Sequence, residues 1–265
     1  MSETSRNGSV YDLTGPSDAP VIVFVHGLGL NRKVWDKFVP RFAQRYRVLN
    51  YDLFGHGETV APPEKPNLTT FSEQLIDLLD ELGIGKCSII GFSLGGMINR
   101  RFAIDHPERL QSMAILNSPH ERGDEAQKLV EQRALDSAAG GPGATLDATI
   151  ERWFTKAYIE DHGDFIQTVR DWVLANDTEV YAMCREVLAF GVPELIRPKP
   201  PITHPTLVIT CEHDSGSTPA MSQAIASEIE DAQVIIVPEL QHMGLSENPS
   251  FFITAIDEFL EAQSL

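Results

Sequence analysis

Lys86-Cys87-Ser88-Ile89-Ile90-Gly91-Phe92-Ser93-Leu94-Gly95-Gly96-Met97 is the stretch on which the reading of the whole chain turns. A short apolar run ends in G-F-S-L-G and a helical pattern begins at once. That order of strand, sharp turn and helix is the one that lifts a nucleophilic serine out of a sheet. The turn is too tight for bulky neighbours, and Gly91 and Gly95 stand two residues to either side of Ser93. The following helix aims its positive N-terminus at the same point. A five-residue pattern of this kind also describes a glycine-rich turn whose serine merely caps a helix. The rest of the chain decides between the two.

Working outward, Val21-Ile22-Val23-Phe24-Val25 and Tyr46-Arg47-Val48-Leu49-Asn50-Tyr51 precede the Ser93 strand, and Met113-Ala114-Ile115-Leu116 follows it. Continuous apolar runs rich in β-branched residues belong to strands buried on both faces of a parallel sheet. Between them the spacing predicts helices: one with Val34, Trp35, Phe38, Val39 and Phe42 on a single face, another from about Thr70 to Leu82, and a third from Ser93 to about Asp105. Ser9 to Thr14 reads as an edge strand. From 120 to 197 only helical patterns occur, broken by Ala139-Gly140-Gly141-Pro142-Gly143. Strands return at Thr206-Leu207-Val208-Ile209-Thr210 and Val234-Ile235-Ile236-Val237, with helices from about Pro219 to Ile229 and Pro249 to Leu260. Alternating strands and helices imply an α/β fold, a mostly parallel sheet with helices on both faces. The core is then 1–119 and 198–265, and 120–197 is a helical insertion.

Ligand sites in such sheets lie at the carboxyl ends of the strands. In chain order those ends carry His26-Gly27-Leu28-Gly29, Asp52, Ser93, Asn117-Ser118-Pro119, Cys211-Glu212-His213-Asp214 and Pro238-Glu239-Leu240-Gln241-His242. A serine, an acid and a histidine in that order form the set required for acyl transfer. Asp214 and Glu212 are both available as the acid.

With H-G-L-G, D-L-F-G-H-G, G-F-S-L-G-G, E-H-D-x-x-S-T-P and Q-H-M-x-x-x-E-N-P all present, the chain resembles the α/β-hydrolase fold superfamily over nearly its whole length. Within it, the chain is most similar to the capped group of 3-oxoadipate enol-lactonases, carboxylesterases and cofactor-free haloperoxidases. Arg152-Trp153-Phe154-Thr155 resembles a cap segment of enol-lactonases, and Cys211 stands where a glycine is commoner. The resemblance implies Ser93 as nucleophile, His242 as general base and Asp214, rather than Glu212, as the acid that orients it. It also implies an oxyanion hole from the backbone N–H groups of Leu28 and Leu94, and a cap over the strand ends formed by 120–197. Asn117 cannot supply the acid's charge. His26, Asp52 and His56 are read as bracing loops, and Trp153, Phe154 and Trp172 as either cap core or substrate wall. Arg152 and Arg197 could pair a substrate carboxylate, but a solvated setting is expected for both.

The expected activity is that of a serine hydrolase acting on a small carboxylic ester or lactone through an acyl-enzyme. C–C bond hydrolysis of diketones, perhydrolase or haloperoxidase behaviour, and a non-turnover receptor on the same fold are the alternatives. A dehalogenase is excluded because its nucleophile would be a carboxylate where Ser93 stands. The chain has 265 residues and a net charge of -17, which disfavours nucleic acid and anionic membrane as partners. A small dianionic substrate would need a local cation against that field. None of the 8 histidines has metal-ligand spacing, and no G-x-G-x-x-G follows a strand, so neither metal nor cofactor is expected. The three cysteines, Cys87, Cys184 and Cys211, and an N-terminus without an apolar stretch lead to a cytoplasmic expectation. A homo-oligomer is left open.

Overall fold

In a computed structural model, which describes residues 2–263, the strands are β1 (Glu3–Thr4), β2 (Val10–Thr14), β3 (Val21–Val25), β4 (Arg47–Tyr51), β5 (Cys87–Phe92), β6 (Leu110–Leu116), β7 (Thr206–Cys211) and β8 (Ala232–Val237). They form one 8-stranded sheet in the order β1-β2-β4-β3-β5-β6-β7-β8. β1 and β2 are antiparallel, and every pairing from β4 across to β8 is parallel. Ile22 to Val25 are all fully buried, as a strand covered on both faces requires.

The chain leaves β3 for β4 on one side and returns for β5 on the other. A crevice therefore opens above the carboxyl ends of β3 and β5, where the loops from neighbouring strands diverge. His26-Gly27 and Ser93 both fall there.

The helices are α1 (Val39–Phe42), α2 (Leu68–Glu81), α3 (Leu94–Asp105), α4 (Asp124–Gly140), α5 (Leu146–Trp153), α6 (Lys156–Asp161), α7 (Gly163–Leu174), α8 (Thr178–Phe190), α9 (Pro219–Ser227), α10 (Gly244–Glu247) and α11 (Pro249–Ala262). The five from α4 to α8 lie between β6 and β7. Among the described residues, no helix is long and apolar enough to cross a membrane.

The single helix expected around Trp35 is instead a 3-10 turn, Arg32–Trp35, followed by the one-turn α1. Pro40 is the cause. It has no N–H to give to the preceding turn, and its ring collides with the carbonyl four residues back. The apolar spacing still does its work, because Trp35, Phe38 and Phe42 are buried against Phe24 with ring centroids 4.7, 6.2 and 5.7 Å away.

Two histidines brace the β3 and β4 loops and are held neutral. His26 Nδ1 donates to the Gly27 carbonyl at 2.8 Å, and its Nε2 accepts from the Leu53 N–H at 3.0 Å. Burial lowers its pKa to about 4 and that of the neighbouring His56 to about 3. In the unfolded chain both would titrate near 6.5. Below about pH 6.5 the unfolded state therefore binds more protons, and stability falls as pH drops towards the folded values. The His26 shift alone amounts to about 3 kcal/mol by pH 4. Urea midpoints measured between pH 7.5 and pH 4 are expected to decline across that window; a flat profile contradicts the assignment.

Candidate active site

Ser93 follows directly on β5 and immediately precedes α3, with φ 56° and ψ −111°. A non-glycine residue there stores strain of about 1–3 kcal/mol, and the turn holds because its surroundings leave no alternative. A Cβ on Gly91 would run into the Gly95 carbonyl, and one on Gly95 into the Val25 carbonyl. Asn99 of α3 fastens the helix to the sheet by donating to the carbonyls of Ile89 (3.3 Å) and Ala114 (2.9 Å). The loop after β3 comes equally close: a Cβ on Gly27 would lie 3.2 Å from Ser93 Cβ.

Leu28 and Leu94 are buried, and their backbone N–H groups have no hydrogen-bond partner among the described residues. For Leu94 this follows from its place as the first residue of α3, where no intrahelical acceptor exists. Two unpartnered buried donors beside a serine are what a developing oxyanion needs.

His242 Nδ1 donates to Asp214 Oδ2 at 2.7 Å. The rest of the carboxylate is equally occupied. Oδ1 accepts from the N–H groups of Gly216 and Ser217, both at 2.9 Å, and Oδ2 also accepts from Asn117 Nδ2 at 2.9 Å. Burial pushes this carboxyl up, but His242, Asn117 and the Ser217 N–H outweigh burial and hold it below the ordinary carboxylate range. Glu212 lies apart, half exposed, accepting from the Glu239 N–H at 3.0 Å. The imidazole lies between Phe92 and Trp153, with ring centroids 4.9 and 5.9 Å away. Cys211 is buried and its thiol is pushed up to about 12, so it stays protonated and is no rival nucleophile.

A cavity of about 70 Å3 joins these parts, lined by Gly27, Leu28, Phe92, Ser93, Trp153 and His242. Arg122, Arg133, Arg152 and Arg185 reach it from the helical segment. Arg152 is thus not in the solvated setting expected of it: burial and then Arg133 lower its pKa to about 10. Arg197 is solvated, 72% exposed and paired with Glu121 at 3.2 Å. Phe154 does not reach the cavity. It is fully buried and stacks on Tyr158 at 5.6 Å. Trp172 lines a separate cavity with Lys37 and Phe165.

The helical segment is stapled to the His242 loop. Met243 N–H donates to the Trp153 carbonyl (2.8 Å), and Gln241 Nε2 donates to the carbonyls of Glu151 (3.1 Å) and Arg152 (3.2 Å). The Thr155 N–H and hydroxyl both donate to Glu247, at 2.8 and 2.6 Å. Away from the cavity, Asp52 accepts from the Arg32 backbone N–H at 2.7 Å and pairs with its guanidinium, which places it in loop bracing.

The sequence pattern of the alpha/beta hydrolase family matches residues 22–255. The chain belongs to that family. Its sheet and helices are those of the α/β-hydrolase fold. It is 30% identical to 3-oxoadipate enol-lactonase 2 of Acinetobacter baylyi over 95% of this chain and 92% of that one. Its identity to the pimeloyl-[acyl-carrier protein] methyl ester esterase of Aeromonas hydrophila is 26%, over 91% and 95% of the two chains. The enol-lactonase from Burkholderia xenovorans LB400 superposes with a TM-score of 0.87 at 29% identity, covering 96% and 98%.

Proposed function

We propose that this α/β hydrolase is a serine hydrolase that cleaves a small carboxylic ester or lactone through an acyl-enzyme. The observation that carries the reading is the 2.7 Å bond from His242 Nδ1 to a fully coordinated Asp214, in the cavity that Ser93 also faces. Asp214 fixes the tautomer in which His242 Nε2 is the free acceptor, so the imidazole can take the Ser93 proton. Ser93 Oγ attacks the acyl carbon, and the Leu28 and Leu94 N–H groups receive the oxyanion. His242 then passes the proton to the leaving oxygen. Water repeats the cycle in reverse and frees the acid. Only neutral imidazole can accept the proton, so kcat/KM falls on the acid side.

The helical segment 120–197 acts as the cap that closes this cavity. The relatives favour C–O cleavage, since one is named for an enol-lactone and another for a methyl ester. Esters, enol-lactones and diketones assayed side by side test this choice against C–C hydrolysis, and trapping of a phosphonate on Ser93 tests the nucleophile. A cavity of about 70 Å3 also sets the acyl length. Acetyl and butyryl p-nitrophenyl esters are expected to react at least about tenfold faster in kcat/KM than the octanoyl ester, as a few misplaced methylenes suffice for that ratio. Equal rates along the series contradict a cavity that limits acyl length.

A further inference from the structure

We propose that the cavity takes a substrate bearing two free carboxylates in addition to the ester or lactone that reacts. This rests on the serine-hydrolase reading of the same site. Four arginines line a cavity of about 70 Å3 in a chain whose net charge is -17. Elsewhere on the molecule Arg32, Arg41, Arg45, Arg101, Arg109 and Arg170 each meet a carboxylate. The four in the cavity meet none among the described residues. Arg185 donates to the Tyr181 hydroxyl at 3.1 Å. Arg122 donates to the Leu188 and Ala189 carbonyls and to Gln127, while its buried Nε has no partner. Arg133 and Arg152 have only burial and the fields of other charges acting on them.

Asp214 is the carboxylate whose field reaches Arg152, but it has no oxygen left to pair with a guanidinium. Both oxygens of Asp214 are already taken by His242, Asn117, Gly216 and Ser217. Cations gathered in a half-buried cavity without counter-ions repel one another and lose water, so the arrangement persists for what it binds. A single carboxylate would leave most of that charge uncompensated.

The cations are anchored in two places, which points to two separate anionic groups: Arg122 is held on the Leu188 and Ala189 carbonyls at the end of α8, whereas Arg185 turns back along α8 to the Tyr181 hydroxyl. Arg152 feels Arg133 and Arg185, and Arg133 feels Arg185. Arg122 is not among their neighbours; it acts on Arg100 behind the cavity, whose own guanidinium donates to the Pro119 carbonyl at 2.6 Å. The small cavity places both carboxylates on a short carbon frame. The surrounding acidic surface would repel such a dianion, so discrimination comes from the cluster and not from long-range steering.

Three methyl esters of similar reach carry zero, one and two free carboxylates: methyl butyrate, monomethyl glutarate and the 1-methyl ester of propane-1,2,3-tricarboxylate. The expected result is a rise in kcat/KM of about tenfold or more at each step, the size of a charge-assisted pair. The second step should shrink with added sodium chloride. Arg133→Gln, Arg152→Gln and Arg122→Gln should each cost more the more carboxylates the ester carries, with partial recovery in the lysine variants. A flat series, or a gain at the first carboxylate only, overturns the proposal. Tighter inhibition by methyl phosphate than by succinate overturns it too, since one anionic group would then suffice. If the glutamine variants do not fold by circular dichroism, the wild-type series and salt titration decide alone. If no ester turns over, the serine-hydrolase reading has failed separately. Calorimetry with propane-1,2,3-tricarboxylate against butyrate then decides, tighter tricarboxylate binding supporting the two-anion cavity and equal binding overturning it.

Discussion

Ser93→Ala is expected to lower kcat/KM on a short ester by at least about 10⁴-fold, leaving the residual rate that binding and oxyanion donors provide. No other group in the cavity can take over. Cys211 is buried and protonated, and the Ser118 hydroxyl is buried with no hydrogen-bond partner among the described residues. Alanine relieves nothing in the backbone, because the φ of 56° is imposed by the close approach of Gly91 to Gly95 and of Gly95 to Val25. The variant should therefore fold, and a fluorophosphonate that labels the wild type should leave it unlabelled. A rate within tenfold of the wild type would remove Ser93 from the mechanism.

Asp214→Asn is expected to cost about 10⁴-fold in kcat, together with a clear loss of thermal stability. The reason is specific to this loop. The carboxylate accepts on both oxygens, from Gly216 and Ser217 at Oδ1 and from Asn117 and His242 at Oδ2. An amide must place its NH2 at one of those positions. At Oδ1 it faces two N–H donors. At Oδ2 it faces the Asn117 amide and obliges His242 to accept at Nδ1, which leaves the proton on the nitrogen meant for Ser93. Each orientation strands buried donors at about 1–3 kcal/mol apiece. Steady-state kinetics and a thermal scan on the same preparation check both halves; a loss below tenfold in kcat contradicts the role given to Asp214.

Much of the fold is legible in the residues because its strands are buried on both faces. Val21–Val25 and Cys87–Phe92 can be little else, and their ends mark where loops must carry chemistry. Reading those ends in order brings Ser93, Asp214 and His242 onto one list, and the structure brings Asp214 and His242 into contact. Side-chain facing in the helical segment is not legible in the same way. Arg152, Trp153 and Phe154 are consecutive around the end of α5, so they point to the arginine cluster, the His242 ring and the buried aromatic stack respectively. No periodicity assigns which of three neighbours looks inward when the helix has 8 residues. α4 is no clearer, since it buries only Ala134 and Ser137, and Arg133 gives no signal of its destination. From the sequence, Asn117 reads only as a residue that cannot supply the acid's charge. Its strand, β6, lies beside β7, and that adjacency is the signal that it could serve the acid instead.

The five hydrogen bonds between 151–155 and 241–247 have a mechanical consequence. They make Trp153 and His242 parts of one piece. Lifting that edge would swing the imidazole out of line with the serine. Admission of solvent and disarming of the base are therefore a single event. Under the proposed mechanism the hydrolase would be open or armed on that side, but not both.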